Sequence, residues 1–236
     1  YADDHGGVFP SVDGRENQQQ LIGEGFGFHT LILPYVEQGA IYRAWRSKYP
    51  NSKGASSDHI FEVLLNPADY SIHSGLHRDK HGADSVASNA VVFKPWTSVL
   101  SVRDGLSNTI LHAQHLAYCH EGWFRWLLGA NGGLWYGPGS TLIFQSRPTF
   151  ADAEMGQVVP VMAPDGSTRA SVPGRTFQVR PKLSESDFTI PQTPHSGGMP
   201  VVMGDGSVRV LSPGVSETTF WSAVTPAGGE VPGSDW

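Results

Sequence analysis

Sulfur and charge are scarce in this chain, and no part of it stays apolar for long. Cys119 is the only cysteine, which excludes an intrachain disulfide framework and leaves the redox compartment open. No apolar run approaches the ~18 residues needed to span a bilayer. Lys and Arg together number 16 against 22 Asp and Glu. There is therefore no basic surface to neutralise phosphates, and nucleic-acid binding has no electrostatic footprint. Catalytic signatures are missing too: the chain has no Gly-x-Ser-x-Gly elbow and no Gly-rich phosphate loop ending in Lys-Ser/Thr. A non-catalytic protein is the expectation.

What is present points to β-rich structure. The 236 residues are enough to bury a core without cross-links, and 28 Gly and 17 Pro cut the chain into short runs. A helical bundle is disfavoured, and one domain over 1–236 is expected. From Phe26 to Arg46 apolar residues recur at three- and four-residue spacings, which predicts helix, with Pro34 either kinking it or opening a second helix. Ile60–Leu65, Val86–Phe93 and Thr109–Leu116 read as strands. Ser216–Val224, with Glu217 in its first turn, reads as a short helix.

Asp205-Gly206 is the clearest local signal. An Asp-Gly pair suits the two-residue hairpin loop that requires positive φ. That loop would pair Met203 with Val208 and Val201 with Val210, making one face wholly apolar.

The stretch from His195 to Leu211, His-Ser-Gly-Gly-Met-Pro-Val-Val-Met-Gly-Asp-Gly-Ser-Val-Arg-Val-Leu, resembles the C-terminal signature of a large family of bacterial prepilin-like proteins, in which Asp-Gly follows His after nine residues. Three further segments resemble that family, in its order. They are Leu33-Pro34-Tyr35-Val36-Glu37-Gln38, the stretch Arg103-Asp104-Gly105-Leu106-Ser107-Asn108-Thr109, and Gly228-Gly229-Glu230-Val231. The resemblance implies an α+β, pilin-like head of the type II pseudopilin kind, its antiparallel sheet packed on an N-terminal helix that lies mostly upstream of Tyr1. It further implies a prepilin cleavage site, a membrane anchor in the precursor, and an extracytoplasmic place at the cell surface or in the periplasm. Its expected partners are other pilin-like subunits or secretion and cell-surface proteins. The family also carries a solute-binding label, but the alternating strands and long helices of a two-lobed binder are not seen here. Two departures stand out. Asn66-Pro67-Ala68-Asp69 occupies the place where the family often has Cys-Pro-Ser-Asp, and Gln114 stands where a glutamate is common.

Candidate chemistry is sparse. His195 is of a type that binds metals or carries protons, yet one His near one Asp is more simply a scaffold element, and Asp205 is more simply a turn residue. Gly206, Asp104, Gly105, Ser107, Asn108 and Thr109 complete the motif set. The resemblance raises calcium in a C-terminal loop, for which the tail offers Glu230 and Asp235. His112, His115, Cys119 and His120 include zinc-binding residue types, but strand alternation would set His112 and His115 on opposite faces. His73, His77 and His81 would share a helical face only if Gly75 and Gly82 permitted a helix. Residues 116–194 match no quoted motif and are expected to carry member-specific function. There Trp123, Phe124, Trp126, Trp135 and Tyr136 form a candidate platform for polysaccharide or a protein partner, or else fill the core.

Overall fold

The computed structural model describes residues 1–12, 28–48, 62–73, 83–94, 96–119, 122–123, 133–136, 143–146, 149–151, 161–162, 168–169, 175–187 and 189–236. The fold is α+β. Among the described residues, no helix is long and apolar enough to cross a membrane.

The predicted N-terminal helix is broken. Helix α1 is Phe28–Ile32, a 3-10 segment covers Leu33–Val36, and α2 is Gly39–Lys48. Pro34 opens the 3-10 turn, and Glu37 then takes a left-handed backbone (φ 63°) that ends it. The second helix therefore starts after the break, five residues beyond Pro34.

The remaining regular structure is mostly strand: β1 Val86–Asn89, β2 Ile110–Gln114, β3 Tyr118–Cys119, β4 Gly122–Trp123, β5 Gly133–Tyr136, β6 Ile143–Ser146 and β7 Thr149–Phe150. Then come β8 Val161–Met162, β9 Thr168–Arg169, β10 Gln178–Val179, β11 Gln192–Thr193, β12 Met199–Met203, β13 Val208–Leu211 and finally helix α3, Glu217–Val224. The main sheet runs β13-β12-β2-β1-β7, and the others order as β3-β4-β6-β5, β10-β11 and β8-β9. The main sheet is mixed rather than antiparallel throughout, because β7 lies parallel to β1. Two expected strands also change. Glu62–Leu64 is a 3-10 turn, and the Val86 strand stops at Asn89, whose Oδ1 accepts the Val91 N–H at 3.0 Å and starts a turn.

The hairpin forms, but its register differs by one residue from the expected one. Met203 N–H donates to Ser207 O (2.9 Å) and Gly206 N–H to Met203 O (3.0 Å), enclosing a three-residue loop, Gly204-Asp205-Gly206. Only Gly206 (φ 82°) takes the left-handed conformation. Asp205 Oδ1 accepts both the N–H (2.9 Å) and the hydroxyl (2.6 Å) of Ser207, which stabilises this wider loop. Val201 now faces Arg209, and Val202 faces Val208. The one-residue shift turns β13 over, so that Leu211 points into the core while Val208 and Val210 are 67% and 63% exposed.

The sheet therefore has two unlike faces. Its inner face, with Ala87, Ala113, Met199, Val201, Met203 and Leu211, packs against Phe220, Ala223 and Val224 of α3. The α3 helix begins where predicted, with the Ser216 side chain capping Thr219 N–H. On the outer face Ser88, His112 and Val202 fall in line across β1, β2 and β12. There α1 covers the β1–β2 half through Phe28, whose ring centroid is 4.4 Å from that of Phe93 and 4.8 Å from that of His112.

Candidate functional site

Three of the four motif segments meet at the hairpin tip. Gly204 N–H donates to Thr109 O at 2.9 Å. A Cβ on Gly204 would lie 2.8 Å from Leu106 O, so only glycine allows this approach. Asp104 then reaches the tail, its two carboxylate oxygens accepting the N–H groups of Gly228 (2.8 Å) and Gly229 (2.9 Å). Asn108 Nδ2 donates to Asp104 O, and Thr109 Oγ1 to Gly105 O. Gly105 itself has φ 96°, another glycine-favouring position. Ser107, the remaining motif residue, is exposed in the 3-10 turn Leu106–Asn108. Around this cluster the Asp104 carboxylate and the Asn108 amide N–H are engaged by backbone partners, which ties the turn to the tail.

His195 lies elsewhere, exposed at the far end of β12. Its Nε2 is 3.3 Å from Asn66 Nδ2, and its N–H donates to Thr193 Oγ1 at 3.1 Å. The Thr193 hydroxyl is 2.8 Å from Gln114 Oε1, with Gly198 O the second acceptor in reach at 3.2 Å. The two departures from the family pattern, Asn66 and Gln114, thus converge on the segment that carries His195, and neither brings a carboxylate or a thiol to it.

A residue that sequence reasoning quoted without assigning a role is heavily engaged through its side chain. Asp69, 2% exposed, accepts the N–H (2.9 Å) and hydroxyl (2.5 Å) of Ser71 on Oδ1, and the hydroxyl of Ser85 (2.8 Å) and the N–H of Ala117 (2.7 Å) on Oδ2. It ties three segments together. A second missed pair is His29 and Asp84, both buried, with Nδ1 and Oδ2 2.7 Å apart. Ser71 lies only two residues from Asp69, but Ser85, Ala117 and the two members of the His29–Asp84 pair are distant in sequence from their partners, which local patterns do not record.

Among the described residues the metal candidates are not assembled. His112 packs with Phe28 and Phe93 on the outer face, whereas Cys119 belongs to the inner-face core, and His120 lies outside the described residues. His115 Nδ1 is 2.7 Å from Leu116 O. The Cys119 thiol points at Gln192 Oε1 (3.0 Å), and burial pushes its pKa far above the usual range, so it is a poor nucleophile. His73 sits in a 3-10 turn, while His77 and His81 lie outside the described residues. In the tail, Asp235 Oδ2 accepts Ser216 N–H (2.7 Å) and Oδ1 the Thr219 hydroxyl, and Glu230 Oε2 is 3.3 Å from Thr225 Oγ1. Among the described residues no three of His, Cys, Asp and Glu converge to hold a metal ion.

Of the aromatic platform, the backbones of Trp123, Trp135 and Tyr136 fall in β4 and β5, with Trp135 opposite Phe144 and Tyr136 opposite Ile143. Phe124 and Trp126 lie outside the described residues.

The β12–β13 half of the outer face is apolar and open. A shallow cleft of about 180 Å³ is lined there by Val86, His112, Gln114, Pro200, Val202 and Val208. Its one ionisable group is the part-buried His112, whose pKa is pushed down by burial and by the neighbouring His29.

No curated protein and no solved structure matches the chain. A family model described as "Protein of unknown function (DUF1559)" matches residues 63–217, about two thirds of the length and all five strands of the main sheet. The chain belongs to the DUF1559 family, whose function is unknown.

Proposed function

We propose that this protein is a non-catalytic, extracytoplasmic assembly component, a pilin-like head that works in a pilus- or pseudopilus-like filament or secretion system. The observation that carries the reading is the open, uncharged half of the outer sheet face. There Val208 and Val210 are 67% and 63% exposed beside Pro200 and Val202. Apolar surface of this kind, continuous with a half already covered by α1, favours coverage by another apolar element. The engagement of Asp104, Asp69 and the hairpin loop in internal hydrogen bonds supports a scaffold over a catalyst. The pilin-like identification itself rests on the four sequence segments.

The test is to replace Val208 and Val210 by Asp in the full gene product in its native host, and separately to place a photo-crosslinker at 208. Crosslinks to a like subunit, an upstream helix or a secretion component, together with loss of assembly in the Asp variant, are expected. A face that captures nothing, in a variant that assembles normally, overturns the reading. Retention of a polysaccharide by the same Asp variant would instead favour a surface-anchored binding module.

A further inference from the structure

The main sheet ends at β13, and the hydrogen bonds of its neighbour show which main-chain groups that edge offers. Met203 N–H donates to Ser207 O (2.9 Å) on the β13 side of β12, whereas Gly204 N–H donates to Thr109 O (2.9 Å) on the β2 side. At the other end of β13, Leu211 O lies where a Cβ on Gly198 would meet it at 2.1 Å, so it too faces β12. Main-chain groups alternate sides along a strand. Ser207, Arg209 and Leu211 therefore direct theirs to β12, and the N–H and C=O of Val208 and Val210 point away from it. Among the described residues no backbone hydrogen bond outside the β12 ladder reaches either valine. The opposite edge is closed, because Thr149 and Phe150 of β7 are both 1% exposed.

Side chains alternate along the same strand. Val208 and Val210 stand exposed on the outer face, beside Val202 and the cleft. Arg209 lies between them on the inner side, its guanidinium 5.1 Å from the centroid of the Trp236 ring. It makes no ion pair among the described residues, and Asp205, the carboxylate it influences, is engaged by Ser207. Exposed edges are ordinarily guarded by proline, a bulge or a charge. Strand β13 has no proline and no bulge, and its single charge leans on Trp236.

We infer that β13 is a strand-addition site that takes an extended peptide segment, antiparallel, with an acidic side chain between two apolar ones. The apolar residues pair with Val208 and Val210 through the outward N–H and C=O groups and extend the apolar outer face. The acidic residue falls opposite Arg209, in the closer, non-hydrogen-bonded kind of pair, where opposite charges attract. A second copy of this chain fits less well, because the self-pairing that sets Val208 against Val210 also sets Arg209 against Arg209. The inference rests on the open half-face of the assembly reading and names the chemistry of the segment that pairs with its rim.

Fluorescence polarisation of the fluorescein-labelled peptide Gly-Thr-Val-Glu-Val-Thr-Gly, titrated with the whole chain, tests it. Saturable binding is expected, weakened roughly fivefold or more when the peptide's Glu is replaced by Lys and lost when both its valines are N-methylated. Val210→Pro removes an outward donor and leaves the β12 ladder whole, so it should abolish peptide binding while the urea unfolding midpoint stays near that of the wild type. Arg209→Glu should turn the preference toward the Lys peptide. No saturable binding at millimolar concentration, equal binding of the Glu and Lys peptides, or binding that survives N-methylation overturns the inference. Should Val210→Pro not fold, the peptide changes decide on the wild-type chain alone. Assembly in the native host that fails with Asp at 208 and 210 yet survives Val210→Pro keeps the assembly reading and overturns strand addition.

Discussion

Asp69 is a buried carboxylate that accepts four hydrogen bonds from Ser71, Ser85 and Ala117. Hydrogen bonds to a carboxylate are stronger than neutral ones, and their loss leaves buried donors unpaired. Asp69→Ala should therefore cost about 3–5 kcal/mol in urea unfolding, with Asp69→Asn milder because an amide keeps one acceptor oxygen. Cys119 shows the opposite case at the same scale. Its burial raises the thiol's pKa well above the usual range, and the side chain packs in the inner-face core.

At the scale of elements, the hairpin register is the decisive detail. If β13 presents Leu211 inward and Val208 outward, Leu211→Ala should cost about 2–5 kcal/mol and Val208→Ala less than ~0.5 kcal/mol in the same assay. The reverse order would restore the two-residue loop. The α3 helix offers a pH test. Hydrogen bonds from the Thr219 hydroxyl and Ser216 N–H hold Asp235 down at about 2, below the usual carboxylate range. A depressed carboxylate stabilises above its unfolded pKa and loses that contribution as pH falls through its folded one. Protection of the first amides of α3 should thus decline between pH 4 and 2, and Asp235→Asn should lack that step. The existence of the hairpin and of α3 was readable from Asp205-Gly206 and from Ser216 with Glu217, because turn chemistry and capping act within a few residues. The register was not readable, since Asp-Gly serves both a two-residue and a three-residue loop. The break after Pro34 was half readable: proline marked it, and the left-handed Glu37 moved it.

At the scale of the molecule, one sheet carries two roles. Its inner face is closed by α3 and supplies the larger core, with Phe220, Met199 and Met203 almost fully buried. Its outer face is half covered by α1 and half open, and the assembly proposal belongs to that asymmetry. Three of the four motif segments seen in the sequence are neighbours in space, Asp104 with Gly228 and Gly229, and Thr109 with Gly204. Their contacts explain what these three do.

The sequence by itself determined the β-rich class, the hairpin and the capped C-terminal helix, because each is written in dihedral preference or periodicity over a few adjacent residues. Only the tertiary structure decided which face of β13 is buried, that Asp69 and Asp104 are structural ties, and that His112 packs against Phe28 of α1. Those outcomes depend on partners brought together by chain closure, in the case of Asp104 and Gly228 across 124 positions, and local chemistry holds no record of such distances.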